Sequence, residues 1–338
     1  MTLLDYLAQL PGNAWLFDVG RPIRKLDKSQ FAQFEALAKP YPSPYLHHAW
    51  FAVFVAQPTN PEQETLWFLK WPLDEQGFLV PAVRDDLVNR LLALKNQQVA
   101  ADSALQDPLK DNPFSFAPDQ YRLASLHAEI HQLLHRPVSS YYADALAFVQ
   151  SPQPNDNWQH LGLQGLADIA VRHDEFSENL ARAISDMPQT PYLALAQCLE
   201  NQPLSPAIQA AALKRLQKDM QENNSAALEA SVRIIAASNP ATGRAQAWQL
   251  LFAREQDDTG AMLAFSRAAC FDLNEQRELI LPFLEKLART GGDFACFKRV
   301  MADLLFLNAL RPVLLAALRS PAASEQLMLA KQQLIPGA

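Results

Sequence analysis

From Trp158 onward the chain carries helix-start signals at a nearly constant spacing, and this spacing constrains the fold more than any other feature. The signals are Asp174, Thr190-Pro191, Ser205-Pro206, Ser225, Asn239-Pro240, Asp258, Asn274, Gly292 and Ser320-Pro321. A Ser, Thr, Asp or Asn side chain accepts a hydrogen bond from the free N–H groups of a first helical turn. Proline is tolerated just after it, because its missing N–H would have had no partner there. Taken alternately, the starts fall into two registers. Positions 174, 205, 239 and 274 are separated by 31, 34 and 35 residues, and positions 190, 225, 258 and 292 by 35, 33 and 34. A helix pair every ~34 residues is the pattern of an α-solenoid, in which no pair buries its apolar stripe alone and stacked pairs share one core. The stripes are present: Ala212, Leu213, Leu216 and Met220, then Leu228, Val232, Ile235 and Ala236. Pro282, inside ELILPFLEKL, is expected to kink its helix.

The front quarter reads differently. Leu3, Leu4, Leu7 and Leu10 make a short amphipathic helix stopped by Pro11-Gly12, and Ala14–Val19 reads as a strand. Asp27 followed by Gln30 resembles a capping box opening a helix through Lys39. Two aromatic runs, Ala49–Ala56 and Thr65–Trp71, form a hairpin whose long loop holds Pro58, Asn60 and Pro61, and Pro81 starts a helix to about Asn96. Residues 97–117 are polar and irregular, with Pro108, Pro113 and Pro118; helices follow at about 119–135 and 139–150, and Pro152 and Pro154 mark a boundary. The expected organisation is a small α+β domain with about three strands (1–97), a linker with two connecting helices (98–154) and a helical repeat region (155–338).

The small-residue-rich helices AIQAAALKRL and AALEASVRIIAAS resemble HEAT-like repeats, whereas the WxxLGxxY pattern of tetratricopeptide repeats is missing. The resemblance spans roughly 157–335 and implies a mostly α fold, an α-solenoid of HEAT-like helix pairs behind the α+β domain. As a whole the chain resembles an uncharacterised proteobacterial family of unknown function, through NAWLFDVGRPIRKLD, AWFAVFVAQ, TLWFLKWPLDEQGFLVP and the helical second half. That resemblance implies no activity.

Composition removes several function classes. The net charge is −7 and evenly spread, with 12 basic and 16 acidic groups in residues 1–150. A nucleic-acid binder concentrates its cations on one face, so nucleic acid is not an expected partner. The densest basic stretch is Arg21, Arg24, Lys25 and Lys28, diluted by Asp27. It reads as a solvated loop after a strand, with an anion site as the alternative. Glycine, at 10 of 338 residues, is scarce, and no GxGxxG, GxxxxGK[ST] or GxSxG occurs. Phosphate-cradling loops need such glycines for close backbone approach. Gly162 and Gly165 sit in a helix-like run without a flanking strand. Cys198, Cys270 and Cys296 lie in apolar helical runs and include no CxxC, which fits a reducing compartment. The N-terminus lacks a basic signal region and no apolar run approaches the ~20 residues of a membrane span, so a cytoplasmic location without membrane contact is expected.

Few residues suggest chemistry. His127, His131 and His135 recur at i, i+4 and i+8, and an i,i+4 pair can supply two ligands to a metal. The order HAEIH is not HExxH, however, and Glu129 points to another face. The stripe Leu126, Ile130, Leu133 and Leu134 leaves the histidines flanking a core, where they act as boundary residues. Strand alternation sends His47 and His48 to opposite faces. Asp18, Arg21 and Arg24 form either a small polar cluster or surface ion pairs. Asp85-Asp86 and Asp257-Asp258 lack the DxDxDG context of a calcium loop, and Asp258 is more simply a cap. Trp50, Trp67 and Trp71 read as sheet core or as an exposed partner-binding patch. Phe51 and Val53 alternate with Trp50, Ala52 and Phe54, so both faces of this strand are apolar and both need a cover.

The function expected from sequence is a non-enzymatic protein–protein interaction scaffold without cofactor, working through the solenoid surface and the aromatic hairpin with an unknown protein partner. The alternative is an enzyme, or a metal- or small-ligand-binding protein, with an interdomain site drawing on Asp18, Arg21, Arg24 and the His127–His135 helix. A homo-oligomer that buries the hairpin is the third possibility.

Overall fold

The computed structural model describes residues 1–56, 64–100, 109, 112–151, 157–239 and 241–334. Contacts divide the chain into Met1–Pro118 and Asp119–Ala338. The hairpin loop residues Pro58, Asn60 and Pro61, together with Pro108, Pro152, Pro154 and Pro240, lie outside the described residues.

The N-terminal unit runs α1 (Leu3–Leu7), β1 (Asn13–Asp18), β2 (Arg24–Lys25), α2 (Lys28–Glu35), β3 (His48–Ala56), β4 (Thr65–Pro72) and α3 (Pro81–Ala100). Its sheet has four antiparallel strands in the order β2-β1-β3-β4, where about three were expected. The additional strand, β2, is two exposed residues long and too short to show any apolar alternation. Strand β3 is central, pairing Leu16 with Val53 on one side and Phe51 with Leu69 on the other. Beyond β4 the chain returns at Ser115: Lys70 N–H donates to Phe114 O and Phe116 N–H to Phe68 O, closing part of that edge.

One sheet face packs on the helices. Leu16, Phe51, Val53, Leu69 and Trp71 meet Leu3, Leu7, Phe31, Phe34, Leu87 and Leu91 in a single core. Rings run edge to face from Trp71 through Phe51 and Phe31 to Phe34 and Tyr41, with centroids 4.8–5.6 Å apart. Each such side chain stabilises the fold by about 1.5–3 kcal/mol through area removed from water. On the opposite face Trp15 stacks on Phe54, and Phe116 packs against both Trp50 and Phe68. Asp27 caps α2 by accepting the Gln30 N–H. That helix stops earlier than Lys39, because Leu37 turns left-handed at φ +58°.

The second unit is helical. It comprises α4 (Gln120–Leu133), α5 (Tyr142–Gln150), α6 (Leu163–Val171), α7 (Ser177–Asp186), α8 (Gln189–Leu199), α9 (Pro206–Gln221), α10 (Ser225–Ala237), α11 (Ala245–Ala253), α12 (Thr259–Ala268), α13 (Asp272–Glu275), α14 (Ile280–Arg289), α15 (Ala295–Phe306), α16 (Arg311–Ala317) and α17 (Glu325–Gln332). The two helices expected as connectors, α4 and α5, thus pack inside this unit. Alternate helices stack. One file is α4, α6, α8, α10 and α12 followed by α15; the other includes α5, α7 and α9, then α11, α14 and α17. One apolar core runs through them from Ala124 to Ala330.

Helix starts follow the sequence signals in part. Ser205 caps α9 with Pro206 at its first position. The cap of α10 is Asn224, one residue before Ser225, and Ser324 rather than Ser320 caps α17. Pro191 stands in the first turn of α8, and Pro282 in the first turn of α14. Pro282 therefore needs no kink, since an N–H there would have no intrahelical partner. Gly165 explains itself by close approach: a Cβ on it would sit 2.3 Å from the Tyr141 carbonyl, so α6 admits the start of α5 only with glycine there.

Cations tie successive layers together. The last carbonyls of a helix have no intrahelical partner and attract positive charge. Arg182 donates to Gln150 O and Ser151 O, and Arg215 to Ile184, Ser185 and Met187 O. Arg254 donates to Met220 O, and Lys286 to Arg254 O and Gln256 O. Every one of these bonds reaches back 28 to 34 residues.

Candidate functional site

Strand β1 ends in a buried polar cluster. Asp18 accepts from Tyr41 Oη (2.7 Å) and from the Gly20 N–H (3.2 Å). Burial pushes its carboxyl up to about 6, against the lowering by these bonds, the Arg21 N–H and the Arg21 charge. Arg21 is itself buried, donates from Nε to Pro44 O (3.0 Å) and lies over the Tyr45 ring. Asp18 and Arg21 are thus together, as expected of a small polar cluster, whereas Arg24 is exposed on β2 and outside it.

The segment holding Arg21 turns sharply. Tyr45 and His48 exchange both backbone hydrogen bonds, and the two residues between them, Leu46 and His47, have φ of +48° and +62°. This is the backbone of a type I′ turn, normally built from Asn-Gly, so the residue types here carry no sign of it. It holds Tyr45 and Trp50 side by side: the Trp50 indole donates to Tyr45 O at 2.8 Å, and Lys70 lies over its ring. His47 is exposed, and His48 Nδ1 contacts Leu46 O, so the two histidines share no site.

Next to this cluster the sheet edge is open. Strand β2 pairs only Phe17 with Lys25 and Asp18 with Arg24. Leu26 N–H then donates to Leu16 O, and the chain leaves into α2. Val19 N–H points to β3, onto Trp50 O, while Leu16 points away from it. By the two-residue period of a strand, Ala14 faces the same way as Leu16, beyond the reach of β2. A cleft of about 530 Å³ lies there, lined by Asn13, Ala14, Trp15, Leu16, Lys25, Leu26, Asp27 and Lys28. Arg24, Lys25 and Lys28 are exposed, and among the described residues none has an ion-pair partner. Asp27 Oδ1 accepts from the Ser29 hydroxyl and the Gln30 N–H. The basic stretch noted in the sequence is therefore divided, with Arg21 inside and the other three around an open strand edge. Trp15, half-buried in the same cleft, was not singled out from sequence, its only sign being a tryptophan in a first strand.

The tryptophans of the hairpin divide too. Trp67 and Trp71 belong to the N-terminal core, Trp71 fully enclosed. That burial corrects their reading as partner-binding residues, since they are the core that the sheet packs around. Trp50 is half-buried.

The histidine stripe is broken as well. Helix α4 stops at Leu133, and His135 lies past its end at φ +52°, off the face of His127 and His131. His131 Nδ1 contacts Pro137 O. Surrounding protein, and then the His131 charge, lower the His127 pKa. Glu129 bonds Gln202. Among the described residues no group of three or more His, Cys, Asp or Glu is placed to hold a metal ion. Asp85 and Asp86 pair separately with Arg84 and Arg90. Asp258 stands at the N-cap position of α12, but its side chain caps nothing: its Oδ2 accepts from Arg254 and Lys286, and the neighbouring Asp257 takes the Thr259 N–H. Cys198 is buried, and burial pushes its thiol up to about 12, which disfavours the thiolate. No helix among the described residues is long and apolar enough to cross a membrane.

Fold and site together define a mostly α-helical protein carrying a small antiparallel sheet with one basic open edge. The chain belongs to a protein family of unknown function, DUF3549, whose model matches residues 1–335. No curated protein and no solved structure matches it.

Proposed function

We propose that this protein is a non-enzymatic interaction scaffold whose helical unit is an α-solenoid of HEAT-like pairs. One observation carries the reading: alternate helices stack, and cations one pair further on bind the carbonyl ends of the earlier helices. Ties of this kind fix each layer against the next and suit a rigid surface that binds by area and complementarity. The buried ionisable groups serve the same purpose. Arg215, Asp219, Ser231 and Tyr192 bond one another, as do Arg244, Asp272 and Trp248. Their polar atoms are spent on structure, which favours binding over covalent chemistry. The partner is a protein, a second copy of this chain being its simplest form, and the location is cytoplasmic, in keeping with free thiols at Cys198, Cys270 and Cys296.

The test is stoichiometry. Sedimentation of the full chain reports self-association, and affinity capture followed by reconstitution with the purified candidate reports a hetero-partner. A 1:1 or otherwise fixed protein complex supports the scaffold. A chain that stays monomeric, reconstitutes with no protein and co-purifies with an equimolar small molecule or metal overturns it.

A further inference from the structure

We propose that the open edge of β1 takes an extended acidic segment of another protein as an added strand. The proposal rests on the interaction reading and names the partner chemistry for one surface of it. Three observations converge. First, the two ends of the sheet differ: β4 is closed at Phe68–Lys70 by the returning segment 114–116, whereas β2 and the following Leu26 cover β1 only from Leu16 to Asp18. Ala14, itself buried in the N-terminal core, therefore turns its N–H and C=O toward this edge rather than toward β3, the arrangement that strand addition uses. Second, a cleft of about 530 Å³ lies along that edge, with the half-buried Trp15 and the apolar Leu26 in its wall. An added strand sends alternate side chains to either face, and such a wall receives the apolar ones. Third, Lys25 and Lys28 line the cleft, together with the single carboxylate of Asp27, and Arg24 is exposed beside them on β2; none of the three cations has an ion-pair partner among the described residues, in a chain of net charge −7. An acidic segment is repelled by most of this protein's charge and attracted here, so the three cations supply register and selectivity. Lysine on an edge ordinarily discourages pairing between like copies. For an acidic strand the same lysines are attractive.

The experiment uses the full chain and labelled eight-residue peptides followed by fluorescence anisotropy. One peptide alternates Glu and Val, a second alternates Lys and Val, and a short single-stranded oligonucleotide and anionic lipid vesicles serve as competing anions. The acidic peptide is expected to bind saturably and the basic one not at all. Lys25→Glu with Lys28→Glu is expected to weaken binding at least tenfold. Ala14→Pro, which removes a donor that no described residue uses, is expected to abolish binding while circular dichroism stays unchanged. The proposal falls if the acidic peptide does not saturate. It also falls if binding survives Ala14→Pro, or if the oligonucleotide or the vesicles bind more tightly than the peptide. Should Ala14→Pro unfold the protein, the lysine pair decides alone. A reconstituted partner that still binds after Lys25→Glu and Lys28→Glu would leave the scaffold standing and remove this site alone.

Discussion

The two units satisfy their backbone polar groups by different means, and the difference decides where each can bind something. In the sheet unit the strands serve one another, so a strand without a neighbour keeps unpaired backbone groups; the short β2 leaves those of the buried Ala14 without a strand partner. In the helical unit the exposed groups are helix ends, and side chains from a later helix fill them, as Arg215 does for three carbonyls of the α7 end. The sheet thus ends in an unfinished edge, whereas the helical layers close on one another. A partner that needs backbone hydrogen bonds has a place on the sheet. One that recognises shape and side chains has the helices.

The contrast extends to the interiors. The N-terminal core is aromatic, with Trp71 in contact with Phe51 and Phe31, and among the described residues its indole N–H has no hydrogen-bond partner. Trp71→Ala is expected to have the largest effect, costing about 3–5 kcal/mol through lost burial and a cavity. Trp71→Phe costs less, because it retains a ring and removes the unsatisfied donor. Urea unfolding combined with hydrogen exchange checks this, and the loss of protection should fall in residues 1–118. In the helical unit the counterpart is Lys286, fully buried and bonded to Asp258 and two carbonyls. Lys286→Ala leaves the Asp258 carboxylate with Arg254 alone and is expected to cost about 3 kcal/mol. Protection should then be lost in α11 to α14. An equal loss in both units for either variant would break the comparison.

Much of this was legible in the sequence. The apolar stripes, the caps at Asp27 and Ser205 and the β3–β4 hairpin are local signals, and they fall where the residues put them. What was not legible is non-local. Strand β2 is two residues whose only claim to be a strand is the partner beside them. The Leu46-His47 turn has neither Asn nor Gly, its strain being borne by contacts among Arg21, Tyr45 and Trp50. The open edge is visible only once it is known how far β2 reaches. Asp258 looked like a cap because Asp precedes a helix there; that its carboxylate turns inward to Lys286, 28 residues away, could not be read from the local pattern.

A pH series sharpens the comparison further, because the sheet unit buries a carboxyl group that burial makes harder to ionise. Asp18 has a pKa of about 6 in the fold, above the ordinary carboxylate value. The fold therefore binds this proton more tightly than the unfolded chain does. The stabilisation is complete below about pH 4 and is lost as pH rises through about 6, on the order of 2–3 kcal/mol in all. Asp18→Asn, which keeps an acceptor for the Tyr41 hydroxyl, is expected to remove that decline. The gap in unfolding free energy between Asn and Asp should move in favour of Asn by this amount from pH 4 to pH 7. A constant gap would show that the native chain keeps Asp18 charged throughout.

The smallest effect separates a surface cap from an interior tie at adjacent positions. Asp257 is exposed and takes the Thr259 N–H and hydroxyl at the start of α12 together with a longer bond (3.3 Å) from the Gly291 N–H, while Asp258 binds Arg254 and Lys286 in the interior. Asp257→Ala removes a cap and is expected to cost about 1 kcal/mol. Asp258→Ala strands a buried lysine and costs several times that. The charge removed is the same in both, so overall electrostatics cannot account for a difference between them. Added salt should erode the Asp257 term, which is solvent-exposed, and leave the Asp258 term nearly unchanged. If the two substitutions cost the same, the cations that bridge the layers contribute no more than surface caps, and the rigidity assigned to the helical unit would have to come from its apolar core alone.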